Sequence, residues 1–204
     1  MKNSWALCFL VLIFLSCGKK KNSMNESPTD TLKSAETKKD SPAIILEQSS
    51  LDSIKGSIKA EAVSKIGDAE IKISYYSPAV RERIIWGGLV PFDKVWVTGA
   101  HSATSIEFSK DVVIGGKLVA AGKYALFTIP GKSEWTLIIN KNWRQHLTDR
   151  YDEQEDIVRV KVKPETEDSH QERLRYVIEI DSNTEGEIVI YWEKLDISLP
   201  FSLK

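Results

Sequence analysis

The sequence predicts an all-β protein: an antiparallel β-sandwich, jelly-roll-like or barrel-like, with one short helix, preceded by a signal peptide and a disordered tether. Two observations predict the sandwich. From about residue 57 onward, apolar and polar residues alternate with a period of two, the pattern of strands that bury one face. Turn sequences containing glycine or proline interrupt this alternation at intervals of about ten residues, a spacing typical of sandwiches and barrels.

The predicted strands follow one another with short turns between them. After a turn at Gly67 and Asp68, Ile71, Ile73 and Tyr75 alternate with polar residues, which indicates a β-hairpin. Strands are predicted at residues 58–62, 69–76, 94–98, 105–109, 111–114, 117–119, 124–129, 135–140, 157–163, 174–181, 187–192 and 195–201. Further turn sequences lie at residues 115–116, 121–122, 130–131 and 185–186. These strands place the all-β domain at residues 56–204.

One stretch departs from the alternation. In residues 141–152, Trp143, Leu147 and Tyr151 are spaced four apart, which is helical spacing. The sequence therefore predicts a short helix, or a lid, that crosses the edge of the sandwich.

The N-terminal segment, residues 1–16, has the composition of a signal peptide. Lys2 gives it a positive start, and residues 5–15 form an apolar run. A helix of that length rises 1.5 Å per residue and is too short for a hydrocarbon core of about 30 Å. The run is therefore interpreted as the apolar region of a cleaved leader.

Cys17 is the predicted lipid attachment site. The residues from Phe14 to Cys17 resemble a lipobox, in which small or apolar residues precede a cysteine that is acylated and becomes the new N-terminus; that pattern prefers Leu where Phe14 stands. The alternative is an ordinary secretory signal with an incidental cysteine. The other cysteine of the chain, Cys8, would leave with the leader, so no disulfide is expected in the mature protein.

Residues 17–55 are predicted to be a lipidated, disordered tether. They are rich in Lys, Ser, Thr, Asp, Glu and Pro, and no aromatic residue occurs between Phe14 and Tyr75. Such a segment has too little apolar surface to offset the entropy lost on ordering. The apolar residues 43–46 are the one place within it where a short docking element is expected.

Charge and the leader together define the expected partners and location. The formal net charge of −1 gives no footprint for nucleic acid, so none is expected. A bacterial membrane is the expected partner of the lipid anchor, which places the protein in the cell envelope. Because lysines rather than acidic residues follow Gly18, we expect the periplasmic face of the outer membrane.

The strongest candidate site is the segment from residue 81 to residue 104, where cationic, aromatic and hydroxyl side chains occur close together. Its candidate ligand-binding residues are Arg81, Arg83, Trp86, Trp96, His101, Ser102 and Thr104. Arginine offers forked donors to carboxylate or phosphate, and tryptophan offers a stacking face. Glycines at 87, 88 and 99 allow the chain to approach a ligand closely. The alternative interpretation is that the tryptophans belong to the core and the arginines are solvated.

Motifs of known catalytic machinery are absent from the sequence. It has no nucleophile elbow, zinc-protease helix motif or phosphate-binding glycine loop, and its three histidines, His101, His146 and His170, lack metal-ligand spacing. No catalytic residue, metal or cofactor is therefore predicted. The acidic run at residues 152–156 lacks the ligand spacing of a calcium loop, and we interpret it as a solvated turn.

Three functions remain open at this point. The favoured one is a non-enzymatic module that binds a small molecule or a protein. The second is a hydrolase-type enzyme that uses His101 with Ser102 or a nearby carboxylate. The third is a glycan-binding module in which Trp86 and Trp96 stack on sugar rings.

Residues 75–164 resemble a bacterial family known only as a domain of unknown function, DUF2911. The resemblance is carried by a series of short stretches in a fixed order, at residues 76–81, 85–92, 94–96, 98–100, 103–104, 108–112, 115–117, 121–131, 135–136 and 151–156. It implies an exported domain, often a lipoprotein, and it implies no reaction. In the family pattern an Arg stands where this chain has Val97, and Asn-Glu stands where it has His101 and Ser102, so a polar site built on those positions is altered here.

Overall fold

The computed structural model describes residues 42–204, and this part of the chain consists of strands joined by turns and loops. The strands are β1 (Ile58–Ile66), β2 (Ala69–Ser77), β3 (Ser105–Phe108), β4 (Val112–Ile114), β5 (Lys117–Val119), β6 (Gly122–Ile129), β7 (Trp135–Asn140), β8 (Asp156–Val162), β9 (Glu165–Ile180) and β10 (Glu185–Leu203). The predicted signal peptide and Cys17 lie outside the described residues. Within residues 42–204, no helix has the length and apolar character needed to cross a membrane.

Two sheets form a sandwich-like arrangement. One has six strands in the order β1-β2-β3-β6-β7-β8, and the other has four in the order β5-β4-β10-β9. Every strand pair in both sheets is antiparallel. The prediction of an all-β antiparallel sandwich is therefore confirmed.

The main core is built from alternating side chains, as the period-two pattern predicts. Along β2, Ile71 and Ile73 are buried and the residues between them are more exposed. Ile188, Ile190 and Trp192 of β10 belong to the same apolar cluster. Full burial of a large apolar side chain contributes roughly 1.5–3 kcal/mol, so these rows of side chains hold the two layers together.

The six-stranded sheet is covered on its other face as well. Phe127 of β6 and Ile138 of β7 form a second apolar cluster with Val97, which lies in the loop between β2 and β3. Trp143 and Tyr151, from the segment after β7, pack against this cluster. Because both faces are covered, β6 and β7 contain unbroken buried runs instead of a strict alternation.

Residues 42–55, the N-terminal arm, lie against the sandwich. Ala43 makes two backbone hydrogen bonds of 2.9 Å with β1, and Ile45 joins the main core at 9% exposure. Further along, the carboxylate of Asp52 accepts hydrogen bonds from Arg173 of β9. The predicted tether includes these residues, and their contacts extend beyond the docking element expected at 43–46. These partners exist only once the sheets have formed, so composition alone did not predict them.

Arg173 joins the arm to the sandwich. Its side chain is 1% exposed, and its guanidinium donates to both oxygens of Asp52, one of them at 2.8 Å. It also donates to the carbonyl oxygens of Ile54 at 2.8 Å, Gly56 at 3.2 Å and Ser77 at 3.1 Å. A buried charge is tolerated only when it is paired and hydrogen-bonded, and these five acceptors meet that condition.

Two strand predictions need correction. Residues 94–98 form a loop and not a strand. Two backbone hydrogen bonds between Trp96 and Thr128, of 2.7 and 3.0 Å, and one between the hydroxyls of Thr98 and Thr128, of 3.0 Å, hold this loop to β6. The strands predicted at 187–192 and 195–201 are a single strand, β10, whose pairing with β9 shifts register on either side of Glu193.

The predicted helix at residues 141–152 is wrong. This segment is a series of turns, and Leu147 has a φ of 44°, which no right-handed helix contains. The only helical element in residues 42–204 is a 3₁₀ turn, Glu153–Glu155. Asp152 caps this turn by accepting from the Gln154 amide at 2.9 Å, so the acidic run does serve as a turn.

Candidate functional site

A pocket of about 420 Å³ lies at the loop between β2 and β3, in the segment that the sequence singled out. None of its lining residues carries a carboxylate. The lining residues are Gly56, Ser57, Pro78, Ala79, Arg81, Arg83, Leu89, Val90, Trp96, Val97, Gly99, Ala100, His101, Leu147 and Trp192. We refer to it as the arginine–tryptophan pocket.

The floor of the pocket is apolar and deeply buried. Ala79, Val90 and Val97 are each 2% exposed, and Trp192 is 1% exposed. The indole of Trp96 stacks on that of Trp192, with ring centroids 5.6 Å apart and planes 17° apart. A floor of this kind favours an apolar group, because entry of that group removes further apolar surface from water.

Trp86 supports the floor from behind. Its ring meets Trp135 at 4.9 Å, Trp192 at 5.7 Å and Trp96 at 6.0 Å between centroids, each time edge to face. Such contacts rigidify aromatic clusters and add about 0.5–1.5 kcal/mol per pair beyond area burial. Trp86 does not line the pocket; it is half-buried and packs against the main core.

The rim of the pocket is cationic. Arg83 is exposed, and its guanidinium donates to the carbonyl oxygens of Val80 at 3.0 Å and Ala79 at 2.5 Å. The half-buried Arg81 donates from Nη2 to the carbonyl oxygen of Ile54 in the N-terminal arm. Neither guanidinium forms a salt bridge with a carboxylate in residues 42–204. Both guanidinium groups are therefore held in place by backbone carbonyls, while the buried carboxylate of Glu172 accepts from the Arg81 backbone amide at 3.0 Å.

Left-handed backbone is concentrated around this pocket. Of the seven non-glycine residues with positive φ in the described chain, Arg81 (49°), His101 (62°) and Leu147 (44°) line it. Three more, Glu82 (57°), Thr98 (51°) and Glu193 (60°), directly follow lining residues. A β-branched residue such as Thr98 is a clear outlier in this region, and strain of this kind clusters at binding and catalytic sites.

Hydrogen bonds to one carbonyl group hold the loop in its strained form. The carbonyl oxygen of Thr98 accepts from the Thr104 hydroxyl at 3.0 Å and from the Tyr176 hydroxyl at 2.8 Å. Burial raises the pKa of Tyr176 well above its ordinary value, which keeps this hydroxyl protonated as a donor. The next residue, Gly99, passes so close that a Cβ there would lie 2.8 Å from Thr104 Oγ1. The fixed turn presents His101 at the pocket rim.

His101 has no catalytic partner in the pocket. Its ring is exposed, meets Tyr76 edge to face at 5.1 Å, and makes no hydrogen bond with the described residues. Ser102 lines a neighbouring cleft and not this pocket. The hydrolase hypothesis, which pairs His101 with Ser102 or with a nearby carboxylate, therefore stays a prediction.

Metal binding finds no support in the part of the chain that the structure describes. Residues 42–204 contain no group of three or more His, Cys, Asp or Glu side chains placed to hold an ion. In the acidic run, Asp156 accepts from the Tyr151 hydroxyl at 2.8 Å and from Asn140 Nδ2 at 2.7 Å. These contacts give the carboxylate of Asp156 a structural role.

The pocket collects four of the candidate residues, Arg81, Arg83, Trp96 and His101. Of the other three, Trp86 packs behind the floor, Ser102 faces the neighbouring cleft, and Thr104 is fully buried beneath the loop. The sequence did not identify Trp192 and Leu147 as part of the site. Both lie far along the chain, and no local pattern connects them with residues 81–104.

The fold is a β-sandwich domain, and a pocket in the segment from residue 81 to residue 104 is lined by cationic and aromatic side chains. The chain belongs to the family described as "Protein of unknown function (DUF2911)", which matches residues 57–201. No curated protein and no solved structure matches the chain.

Proposed function

We propose that this domain is a non-enzymatic binding module of the bacterial cell envelope and that its arginine–tryptophan pocket holds a small anionic amphiphile. One observation carries the proposal: the pocket combines an apolar, almost fully buried floor with a cationic rim, and no carboxylate lines it. The apolar part of the ligand would lie on Trp96 and Trp192. Its carboxylate or phosphate would lie at Arg81 and Arg83, whose guanidinium groups suit such anions.

The expected affinity follows from the contributions of the apolar floor and the cationic rim. Burying the six methylenes of octanoate yields about 0.8 kcal/mol each, hence about 5 kcal/mol in all. Association costs at least about 4 kcal/mol of translational and rotational freedom. The charged contacts at the rim, at about 1.5–3 kcal/mol each, then decide whether binding is measurable. We expect a dissociation constant on the order of 100 µM for the anion and much weaker binding of an uncharged analogue.

Titration calorimetry with octanoate, octyl phosphate and octanol tests this proposal. The double variant Arg81→Gln/Arg83→Gln should weaken binding of the two anions at least about tenfold, since each lost charged contact is worth about 1.4 kcal/mol or more. The matched control is Arg175→Gln, a half-buried arginine outside the pocket that also forms no salt bridge in residues 42–204. Octanol binding as tightly as octanoate, or a double variant that binds like the parent, would refute the proposal.

The second part of the proposal is that Cys17 anchors the domain to the outer membrane, on its periplasmic face. The apolar run at 5–15 and the lipobox-like residues before Cys17 support it. Several acyl chains make such anchoring effectively permanent. Mass spectrometry of the mature N-terminal peptide should show a lipid-modified Cys17, and Cys17→Ser should move the protein out of the membrane fraction. An unmodified thiol on the parent protein would contradict this part without affecting the pocket.

A further inference from the structure

A second cleft, of about 490 Å³, lies on the other side of the His101 loop and shares no lining residue with the arginine–tryptophan pocket. Its base is the outer face of the six-stranded sheet, where Lys59 of β1 stands directly opposite Tyr76 of β2. Arg144 and Arg150, from the segment after β7, form its wall. We infer that this cleft is a binding site for an anionic carbohydrate.

The charge of the cleft is the first argument. Lys59, Arg144 and Arg150 line it, and none of the three forms a salt bridge in residues 42–204. Six other lysines in residues 42–204 do form salt bridges; one of them, Lys65, on the same strand as Lys59, lies 3.8 Å from Glu70. No carboxylate lines the cleft; that of Asp149 lies 3.0 Å from Nδ1 of the lining His146, and none of the three cations is paired with a carboxylate, so they can hold an external anion.

The polar groups of the cleft are the second argument. The hydroxyls of Tyr76 and Ser102 line it and have no hydrogen-bond partner among the described residues. Gln145 is committed to the protein, because it accepts from the Arg150 amide at 2.9 Å and donates to the carbonyl oxygen of Asn142 at 2.6 Å. Gln145 therefore fixes the wall, and the free hydroxyls remain for the hydroxyl groups of a ligand.

The aromatic lining of this cleft differs from that of the arginine–tryptophan pocket. Trp143 lines the cleft, but Arg144 lies 4.7 Å and Lys123 lies 4.5 Å from its ring centroid. The ring is thus engaged in cation–π contacts that orient Arg144. Cations without a carboxylate partner, together with free hydroxyls, favour a sugar that carries carboxylate or phosphate.

Calorimetry with trigalacturonate, glucose 6-phosphate and the neutral maltotriose tests the inference. We expect saturable binding of at least one of the two anionic sugars and none of maltotriose; which of the two binds identifies carboxylate or phosphate as the recognised group. The double variant Lys59→Gln/Arg150→Gln should lower that affinity at least about tenfold. The matched control Lys65→Gln should bind like the parent, and circular dichroism should show every variant folded.

The result of this calorimetry does not depend on whether the arginine–tryptophan pocket binds an amphiphile. Arg81→Gln/Arg83→Gln removes charge from the pocket rim only and should leave binding of the anionic sugar unchanged. Absence of binding to either anionic sugar up to about 10 mM, where even a free energy of about −3 kcal/mol is detectable, overturns the inference. Equal binding of maltotriose, or an equal loss of affinity in Lys65→Gln, overturns it as well.

Discussion

Replacing Arg173 by methionine tests whether the buried ion pair holds the N-terminal arm on the sandwich. Methionine preserves length and apolar volume but removes all donors, so Asp52 loses its cationic partner and the carbonyl groups of Ile54, Gly56 and Ser77 each lose one donor. Breaking a buried pair by removing one member costs about 3–5 kcal/mol. The Asp52 side chain is 19% exposed and recovers some hydration, so we expect the lower end, about 3 kcal/mol.

Urea denaturation followed by tryptophan fluorescence measures this loss. With a slope of about 1–3 kcal/mol per molar urea, a loss of 3 kcal/mol lowers the midpoint by about 1–2 M. Arg175→Met is the matched control, two residues away on the same strand; it removes a half-buried arginine with no salt bridge in residues 42–204 and should cost about 0.5 kcal/mol. A cost for Arg173→Met below about 1 kcal/mol, or equal to that of the control, would refute the role assigned to the pair.

Three further predictions concern the pair and the strained loop. Hydrogen bonds from Arg173 lower the pKa of Asp52 from 3.8 to about 2. The ionised Asp52 therefore contributes its full stabilisation of the folded state above pH 3.8 and loses it as the pH falls through 2. The difference in unfolding free energy between the parent and Asp52→Asn should shrink over the same pH range. Gly99→Ala should cost about 1–3 kcal/mol in urea denaturation, because its Cβ would overlap Thr104 Oγ1, and a neutral effect would show that the loop can move. Tyr176→Phe should cost about 1–2 kcal/mol by thermal denaturation, since it removes a buried donor, and an unchanged melting temperature would contradict that role.

The sequence predicts the sandwich well because alternation is a local property. Along β2, each buried residue is two positions from the next, and this spacing is visible without any knowledge of the partner strand. The same reasoning fails at residues 94–98, where alternation around Trp96 arises from packing on both sides of a loop. Val97 belongs to the second apolar cluster, and Trp96 is stacked on Trp192.

The wrong helix prediction has a similar cause. Trp143 and Tyr151 both pack on the second apolar cluster. Leu147, between them, lines the arginine–tryptophan pocket and is 38% exposed. Their spacing of four reflects separate anchoring points along a series of turns. Side chains spaced four apart indicate a helix only when all of them pack on the same surface. Whether they do so cannot be inferred from these residues alone.

The sequence predicts those pocket residues that lie close together in one segment of the chain. Arg81, Trp96 and His101 come from one segment, and their residue types point to an anion and a stacking surface. Trp192 comes from β10 and Gly56 from the end of the arm, and both reach the pocket through contacts between residues distant in sequence. Such placement depends on sheet order, which local patterns do not specify.

The attachment of the arm has a mechanical consequence. Tension arriving along the chain from its N-terminal side meets the backbone bonds of Ala43 with β1 first, and the Asp52–Arg173 pair only after those have yielded. Arg81 and the pocket wall at Gly56 lie behind both attachments along this load path. Tension on the chain N-terminal to the arm would therefore be absorbed at the edge of the sheet before it changes the geometry of the pocket.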